Sequence, residues 1–322
     1  MKPDLVSVVI VAYNNWPDVE LAIQSALQQS YQPLEVIVID NDSSDDTSRE
    51  VPGHFGHLVR YLRQPNVGDG GGYNTGMRLA EGEFIQFMDG DDFLAPNKIE
   101  KQVEVLRSDP KVDIAYGDVR CFQSFPGVPN WKDWDTFQYD NILPTFIDPD
   151  ERNPGPLVHS VLFRRSALDR VGPWDETQYI VDQDYWLRAS WAGCRFRYCP
   201  GSLCFYRRYP SQMSANVRAM ASGTEAVWEK ALTYITQEPY HSALAIRLAR
   251  HRYRMAVVKD GMTVREALAK LSMARSTNRP TISALAYAIA VALIIIPGLS
   301  FLVRAPGLRL FRRGVVKCLD LS

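Results

Sequence analysis

Three uninterrupted apolar runs, at residues 5–13, 34–39 and 84–88, constrain the fold of this chain more than any other feature. Runs of Val, Ile and Phe without polar alternation are typical of parallel strands that are covered on both faces. Residues 18–29 carry apolar side chains at helical spacing, and residues 59–62 indicate another strand. The repetition of strand, loop and helix predicts an α/β fold with a doubly wound, mostly parallel, Rossmann-like sheet.

Polar loops follow these strands at residues 12–16, 40–47 and 89–92, and two of the loops are acidic. Ligands of an open α/β sheet bind at the carboxyl ends of its strands, so these loops are the expected site. A dinucleotide-binding sheet is disfavoured, because the first loop has no glycine. Residues 68–72 are glycine-rich, and we expect them to form a loop before a helix at residues 73–80.

The strand at residues 84–88 ends in an acidic turn that contains Asp89, Asp91 and Asp92. Gly90 permits a tight turn, in which Asp89 and Asp91 converge on one divalent cation. The same composition is also typical of a polar turn that binds no ligand. This stretch by itself leaves both interpretations open.

The second half of the chain contains a long stretch without clear periodicity, at residues 121–156. Irregular stretches of this length inside a domain are typical of binding loops or lids. Around it, strands are predicted at residues 112–116, 160–163 and 195–206, and helices at 97–107, 165–171 and 182–192.

Charge and cysteine content exclude some classes of protein. The formal net charge of −1 gives no electrostatic argument for a nucleic-acid partner. No apolar signal segment follows Met1, and the five cysteines lack a usual zinc spacing, so we predict free structural thiols in a cytoplasmic protein.

The C-terminal region, residues 216–322, is predicted to be helical and includes an uncharged stretch of 22 residues at 282–303. Pro297 interrupts this stretch, and arginines flank both of its sides, which does not favour a single membrane crossing. We expect peripheral membrane contact through residues 282–313, at the inner face of the cell membrane. The alternative is a buried helix pair or the interface of a homo-oligomer.

Five ordered segments resemble the motifs of family 2 glycosyltransferases of the GT-A fold. They are SVVIVAYNN at residues 7–15, EVIVIDNDSSDDT at 35–47, GYNTGMRLAEGEFIQFMDGDD at 72–92, VGPWDE at 171–176 with VDQDYWLR at 181–188, and FYRRYPSQMS at 205–214. The resemblance implies a catalytic domain over residues 1–215. Its nucleotide-binding half is residues 1–95, and its acceptor-binding half is residues 96–215.

The resemblance implies an inverting, metal-dependent hexosyltransferase that uses a nucleotide-diphosphate sugar, with UDP as the expected nucleotide. The acceptor would be a hydroxyl of a glycan or a lipid-linked molecule in surface polysaccharide or lipopolysaccharide synthesis. Mn²⁺ or Mg²⁺ would bind Asp91 and Asp89, of which Asp89 would contact the ribose or a metal-bound water. Asp182 matches the position of the catalytic base.

The donor-binding residues that the resemblance implies lie in all five segments. They are Ala12, Tyr13, Asn14, Asp40, Asn41, Asp42, Gly72, Asn74, Asp89, Arg207 and Arg208. Asn41 occupies the usual position of a second aspartate, so the base contact falls to Asp40, Asn41 or both. The two arginines would clamp the diphosphate. Tyr209 stands where family members often carry a histidine.

Two other functions and two single residues leave alternatives open. A nucleotidyltransferase would also pair a nucleotide-binding sheet with metal-binding carboxylates, but its first loop would normally be glycine-rich and basic. A non-catalytic nucleotide-sugar-binding protein is disfavoured by the intact Asp89, Asp91 and Asp182. His159 faces an acceptor or is structural, and Trp174 stacks on a sugar or packs in the core.

Overall fold

The computed structural model describes residues 1–122, 132–133, 143 and 155–259 of the 322-residue chain. The strands are β1 Lys2–Ala12, β2 Leu34–Asp40, β3 Arg60–Arg63, β4 Gly82–Asp89, β5 Phe93–Leu94, β6 Ile114–Tyr116, β7 Val119–Phe122, β8 Lys132–Asp133, β9 Val161–Arg164, β10 Phe196–Tyr198 and β11 Cys204–Arg207. The helices are α1 Asp18–Leu27, α2 Thr47–Phe55, α3 Gly68–Leu79, α4 Lys98–Ser108, α5 Arg165–Val171, α6 Val181–Trp191, α7 Val217–Tyr234 and α8 Tyr240–Lys259.

The main sheet has seven strands in the order β10-β6-β9-β4-β1-β2-β3. The strands β3, β2, β1 and β4 are parallel, and β10 is parallel to β6. Only β9 runs antiparallel to its neighbours β4 and β6 within this sheet. The predicted doubly wound, mostly parallel sheet is therefore confirmed.

Helices cover both faces of the sheet, which explains why β1 is apolar throughout. Val8 and Ile10 belong to a core cluster with residues of α1, α2 and α4. Val9 and Val11 point to the other face, because successive side chains of a strand alternate. That face is covered by α3.

The glycine-rich stretch is part of helix α3, so the prediction of a loop at residues 68–72 is wrong. A Cβ on Gly72 would lie 2.6 Å from Val11 Cγ1, and a Cβ on Gly76 would collide with Val9. These two glycines therefore let the helix approach β1 closely. Glycine has a low helix propensity, so this helix is stabilised by its packing against the strand.

The prediction of one final strand at residues 195–206 is also wrong. The segment forms β10 and β11, which belong to different sheets. The second sheet has the order β5-β11-β7-β8 and adjoins the acidic turn, since β5 begins at Phe93. Pro200 and Gly201 separate the two strands, and such a pair is a turn signal.

An aromatic cluster fills the space between β4, β9 and α6. The ring of Trp174 stacks on Tyr185 at 4.1 Å between centroids and lies edge-on to Phe87 at 5.3 Å. Trp174 is only 1% exposed. Its role is core packing, and it is not available for stacking on a sugar.

The chain divides into a compact unit Met1–Ile235 and a second unit that starts at Thr236. The first unit includes α7, because Lys230 of that helix forms ion pairs with Asp175 and Asp184. In the second unit the structure describes α8, and the predicted membrane-contact segment at residues 282–313 lies outside the described residues. Among the described helices, none is long and apolar enough to cross a membrane. The described cysteines are free and buried, as predicted.

Candidate active site

The ends of β1, β2 and β4 lie side by side, which brings the predicted loops together. In the sheet register, Ala12 pairs with Asp40, and Val11 pairs with Asp89. The N–H of Gly90 donates to the Val11 carbonyl at 2.8 Å, so the acidic turn continues the sheet edge. The polar residues of three loops therefore share the carboxyl edge of the sheet.

The three aspartates of the acidic turn face different neighbours. Asp89 and Asp91 are partly exposed, whereas Asp92 is buried. Asp89 accepts a short hydrogen bond from the hydroxyl of Tyr73 in α3. The hydroxyl of Tyr209 donates to Asp91 Oδ2 at 2.9 Å. Burial first, and then Asp91, raise the pKa of Tyr209, which keeps its hydroxyl a donor.

The acidic turn concentrates negative charge. Burial and the neighbouring charges of Asp69, Asp92 and Asp91 raise the pKa of Asp89 well above its usual range. Burial and then Asp91 also raise the pKa of Asp92 and of Asp69, which lies in the first turn of α3. Like charges this close are unfavourable unless a cation or protons compensate them.

The donor atoms at the turn fit a divalent cation. Ligand atoms of Asp89, Asp92 and His159 lie within 4.8 Å of one another. Two of these groups are already paired with each other, since His159 Nδ1 lies 2.9 Å from Asp92 Oδ2. A carboxylate-rich set of this kind suits Mg²⁺ or Mn²⁺. Because Asp92 and His159 are each 1% exposed, the partly exposed Asp89 and Asp91 are the carboxylates of the turn that a ligand in solvent can reach.

The predicted base, Asp182, lies in the first turn of α6. Its Oδ1 accepts the N–H of Gln183 at 2.7 Å, which favours the ionised form. Burial opposes this more strongly and raises the pKa of Asp182 to about 6, with a smaller contribution from the charge of Asp69. A carboxylate that titrates near neutral pH suits general base catalysis.

The segment before the predicted base is held by buried polar contacts. Asn74 Oδ1 accepts the N–H of Trp174 at 2.8 Å, and Asn74 Nδ2 donates to the Trp174 carbonyl at 2.9 Å. Asp184 pairs with Arg188 at 2.8 Å and with Lys230 at 2.6 Å. The structure thus places Asn74, a predicted donor contact, in a bridge between α3 and the base-bearing segment.

Asp40 and Asn41 at the end of β2 are buried and bonded within the protein. The hydroxyl of Tyr61 donates to Asp40 Oδ2 at 2.5 Å. Asn41 Nδ2 donates to the carbonyl of Gly68 at 3.0 Å, which attaches the start of α3 to β2. A base contact through Asp40 would share Oδ2 with the bond from Tyr61, and a base contact through Asn41 would use an amide group that already donates to Gly68.

The rim of this edge consists of Tyr13, Asn14 and Asp42. Tyr13 is 50% exposed, and Asn14 and Asp42 adopt left-handed backbone conformations with φ of 50° and 64°. Asn14 Oδ1 accepts the N–H of Ser44 at 2.8 Å, and Asp42 pairs with Arg63 at 2.8 Å. Asn and Asp tolerate this conformation, which is frequent at binding sites.

The two predicted phosphate-binding arginines differ in their surroundings. The guanidinium of Arg207 forms a close ion pair with Asp18 of α1, and its backbone N–H donates to Asp92 Oδ1 at 2.9 Å. Arg208 is exposed, with its guanidinium carbon 5.8 Å from the ring centre of Tyr206. Arg207 therefore fastens its loop, and Arg208 is the more accessible cation.

The family follows from a sequence comparison. A sequence model of glycosyl transferase family 2 matches residues 7–172, which is about half of the chain and contains the acidic turn. The chain belongs to glycosyl transferase family 2. The nucleotidyltransferase and the non-catalytic binding protein are therefore not favoured.

Two relatives of this glycosyltransferase differ in how much of their length it matches. An uncharacterized glycosyltransferase of Rickettsia conorii is 39% identical over 244 residues, which are 73% of this chain and 39% of the relative. The Escherichia coli UDP-Glc:alpha-D-GlcNAc-diphosphoundecaprenol beta-1,3-glucosyltransferase WfaP is 27% identical over 219 residues, which are 66% of this chain and 81% of WfaP. The chain thus spans less than half the length of the Rickettsia protein.

Two solved structures resemble the glycosyltransferase in fold. S. aureus TarS 1–349 in complex with UDP has a TM-score of 0.58 at 17% identity, covering 83% of this chain and 78% of that one. The mannosyltransferase PcManGT from Pyrobaculum calidifontis, in complex with GDP-Man and Mn²⁺, has a TM-score of 0.55 at 20% identity, covering 91% and 87%. This likeness shows that the fold is GT-A.

Two residues of this glycosyltransferase that reach the acidic turn were not predicted from the sequence. Asp69 lies within the glycine-rich stretch, and Tyr73 lies in a predicted helix without a motif that marks it. An acidic residue at a helix start is a recognisable signal, but here the helix start itself was misplaced. No sequence pattern indicates that Tyr73 donates to Asp89.

Proposed function

We propose that this protein is an inverting glycosyltransferase that moves a sugar from a UDP-sugar to a hydroxyl of a lipid-linked glycan. One observation carries the proposal: the partly exposed Asp89 and Asp91 lie in a turn at the carboxyl edge of the sheet, where Asp89 accepts a hydrogen bond from Tyr73. Burial raises the pKa of Tyr73 well above its usual range, and the charges of Asp89, Asp69 and Asp182 raise it further. The reaction has two requirements: carboxylates that bind a cation beside the donor diphosphate, and a separate carboxylate that accepts the proton of the acceptor hydroxyl. The acidic turn and Asp182 match these two requirements.

The reaction replaces one C–O bond by another at the anomeric carbon. The acceptor hydroxyl attacks from the face opposite the leaving group and gives its proton to Asp182, while the bond from the anomeric carbon to the diphosphate oxygen breaks. Asp89 and Asp91 would hold a divalent cation, which would supply positive charge to stabilise the departing diphosphate. Arg208 supports the same charge from the solvent side, and Tyr73 holds the Asp89 carboxylate in place.

The choice of donor and acceptor is supported by what the relatives bind. WfaP is named for UDP-Glc and a diphosphoundecaprenol acceptor, and the TarS structure contains UDP. A lipid-linked acceptor also agrees with the membrane contact that we expect through residues 282–313, and it supports a role in surface polysaccharide synthesis. Half-exposed Tyr13 offers a flat surface for the uracil ring.

Donor binding and chemistry are tested separately with the full-length protein. We expect UDP-sugars with Mn²⁺ to raise the melting temperature more than GDP-sugars, because ligands that bind only the native state stabilise it. Asp182→Asn should keep that shift while the transfer rate falls at least about 10³-fold, which corresponds to the loss of a general base.

The control is Asp169→Asn, which makes the same change at an exposed position of α5. This variant should transfer sugar at the wild-type rate. Transfer by Asp182→Asn at the wild-type rate would remove Asp182 as the base. A protein that no nucleotide sugar stabilises, with or without a divalent cation, would contradict the proposed function as a whole.

A further inference from the structure

The segment after β11 contacts the acidic turn at two adjacent carboxylates. The backbone N–H of Arg207 donates to Asp92 Oδ1 at 2.9 Å, and the hydroxyl of Tyr209 donates to Asp91 Oδ2 at 2.9 Å. The first contact fixes the buried side of the turn, and the second contacts the side that is open to a ligand. Both come from residues two positions apart.

Other contacts hold the residue Tyr209 in place. Its backbone N–H donates to Gln212 Oε1 at 2.7 Å, and Gln212 Nε2 donates to the hydroxyl of Tyr206 at 2.8 Å. The guanidinium carbon of Arg207 lies 5.6 Å from the centre of the Tyr209 ring. A side chain with these supports presents its hydroxyl to Asp91 in one direction.

We propose that Tyr209 is a positioning residue that orients the Asp91 carboxylate for a divalent cation, which rests on the metal-dependent function proposed above. A carboxylate has two oxygens and about four lone-pair directions, so one bond from Tyr209 to Oδ2 leaves Oδ1 available. Outer hydrogen bonds of this type orient metal-binding carboxylates, and their loss typically weakens metal binding by about 10–100-fold. The phenol acts through Asp91 and is not a ligand itself.

The position of Tyr209 makes this role specific to the chain. The resemblance to the family leads one to expect a histidine here, and a neutral imidazole nitrogen can bind a metal directly. A protonated phenol cannot do so, but it donates a hydrogen bond to a carboxylate. At this position a histidine would bind the metal directly, whereas Tyr209 acts through its hydrogen bond to Asp91.

The test measures Mn²⁺ binding by the full-length protein without any sugar nucleotide. Electron paramagnetic resonance of free Mn²⁺, or calorimetry, gives the dissociation constant without reference to activity. Tyr209→Phe should weaken Mn²⁺ binding by about 10-fold. The control Tyr179→Phe removes a hydroxyl that donates to the carbonyl of Met213 in the same loop at 3.3 Å but does not support Tyr209, and it should change the constant by less than about twofold.

The outcomes separate this proposal from the proposed function. Unchanged or tighter binding by Tyr209→Phe would overturn the positioning role, as would equal weakening by both variants, which would indicate a general effect on the loop. If the wild-type protein binds no Mn²⁺ or Mg²⁺, the metal-dependent function fails and this proposal fails with it. A melting temperature within about 3 °C of wild type confirms that each variant is folded.

Discussion

His159 Nδ1 and Asp92 Oδ2 lie 2.9 Å apart, and both side chains are almost completely buried. The imidazole also stacks on Tyr206 at 5.5 Å between ring centres. The pair thus connects the acidic turn to β11 from the inside. Of the two interpretations of His159, this contact supports the structural one, and the structure gives Asp92 a role in holding the turn.

Removal of the imidazole should destabilise the fold. His159→Gln removes the imidazole that lies beside Oδ2 of the buried Asp92 carboxylate, and we expect the free energy of unfolding to fall by about 3 kcal/mol. Urea denaturation followed by tryptophan fluorescence measures the change. The exposed His57 is the control, and His57→Gln should have an effect below about 0.5 kcal/mol. Equal stability of the two variants would show that the buried pair contributes nothing.

The proposed base, Asp182, should give the enzyme an acidic limb in its pH profile. Asp182 must be ionised to accept a proton, and its pKa is raised to about 6 by burial. We therefore expect kcat/KM to rise about tenfold per pH unit below pH 6 and to level off above it. Since the charge of Asp69 also raises this pKa, Asp69→Asn should move the limb to lower pH. A profile with no limb near pH 6 would argue against Asp182 as the titrating group.

Buried Lys98 should make stability depend on pH. Burial lowers its pKa from 10.5 to about 7, so between those values the unfolded chain holds a proton that the folded chain has lost. Raising the pH through this window therefore stabilises the wild type relative to Lys98→Met, by about 2–3 kcal/mol between pH 7 and 9.5. Urea unfolding at both pH values measures the difference. The same substitution at exposed Lys111 should give no such dependence.

The contact between α3 and β1 should tolerate no added methyl group. Gly76→Ala places a Cβ against Val9, and we expect it to destabilise the protein by about 1–3 kcal/mol. Gly53→Ala is the matched control in α2, where no atom lies within 4 Å of the new Cβ. It should stabilise the protein by about 0.5–1 kcal/mol, because alanine is more favourable than glycine inside a helix. Thermal unfolding distinguishes the two; similar effects would contradict the packing argument.

The sequence was sufficient to predict the strands that are buried on both faces, because such strands are apolar at nearly every position. Continuous apolar residues in β1, β2 and β4 predicted the parallel strands, and their carboxyl ends predicted the site. It was insufficient for the start of α3, because glycines are compatible with a loop, and their packing on Val9 and Val11 is a long-range contact. It also missed the break between β10 and β11, although Pro200 and Gly201 carried a turn signal.

The order of motifs along the chain predicted which carboxylates form the site, since Asp89, Asp91 and Asp92 follow a buried strand and Asp182 lies in the first turn of a helix. Tertiary structure alone decided how these acids differ. Asp92 is buried against His159, Asp91 faces Tyr209, and burial brings the pKa of Asp182 to about 6. Desolvation and charge–charge interaction depend on neighbours that are distant in sequence, so a local pattern of aspartates does not contain this information.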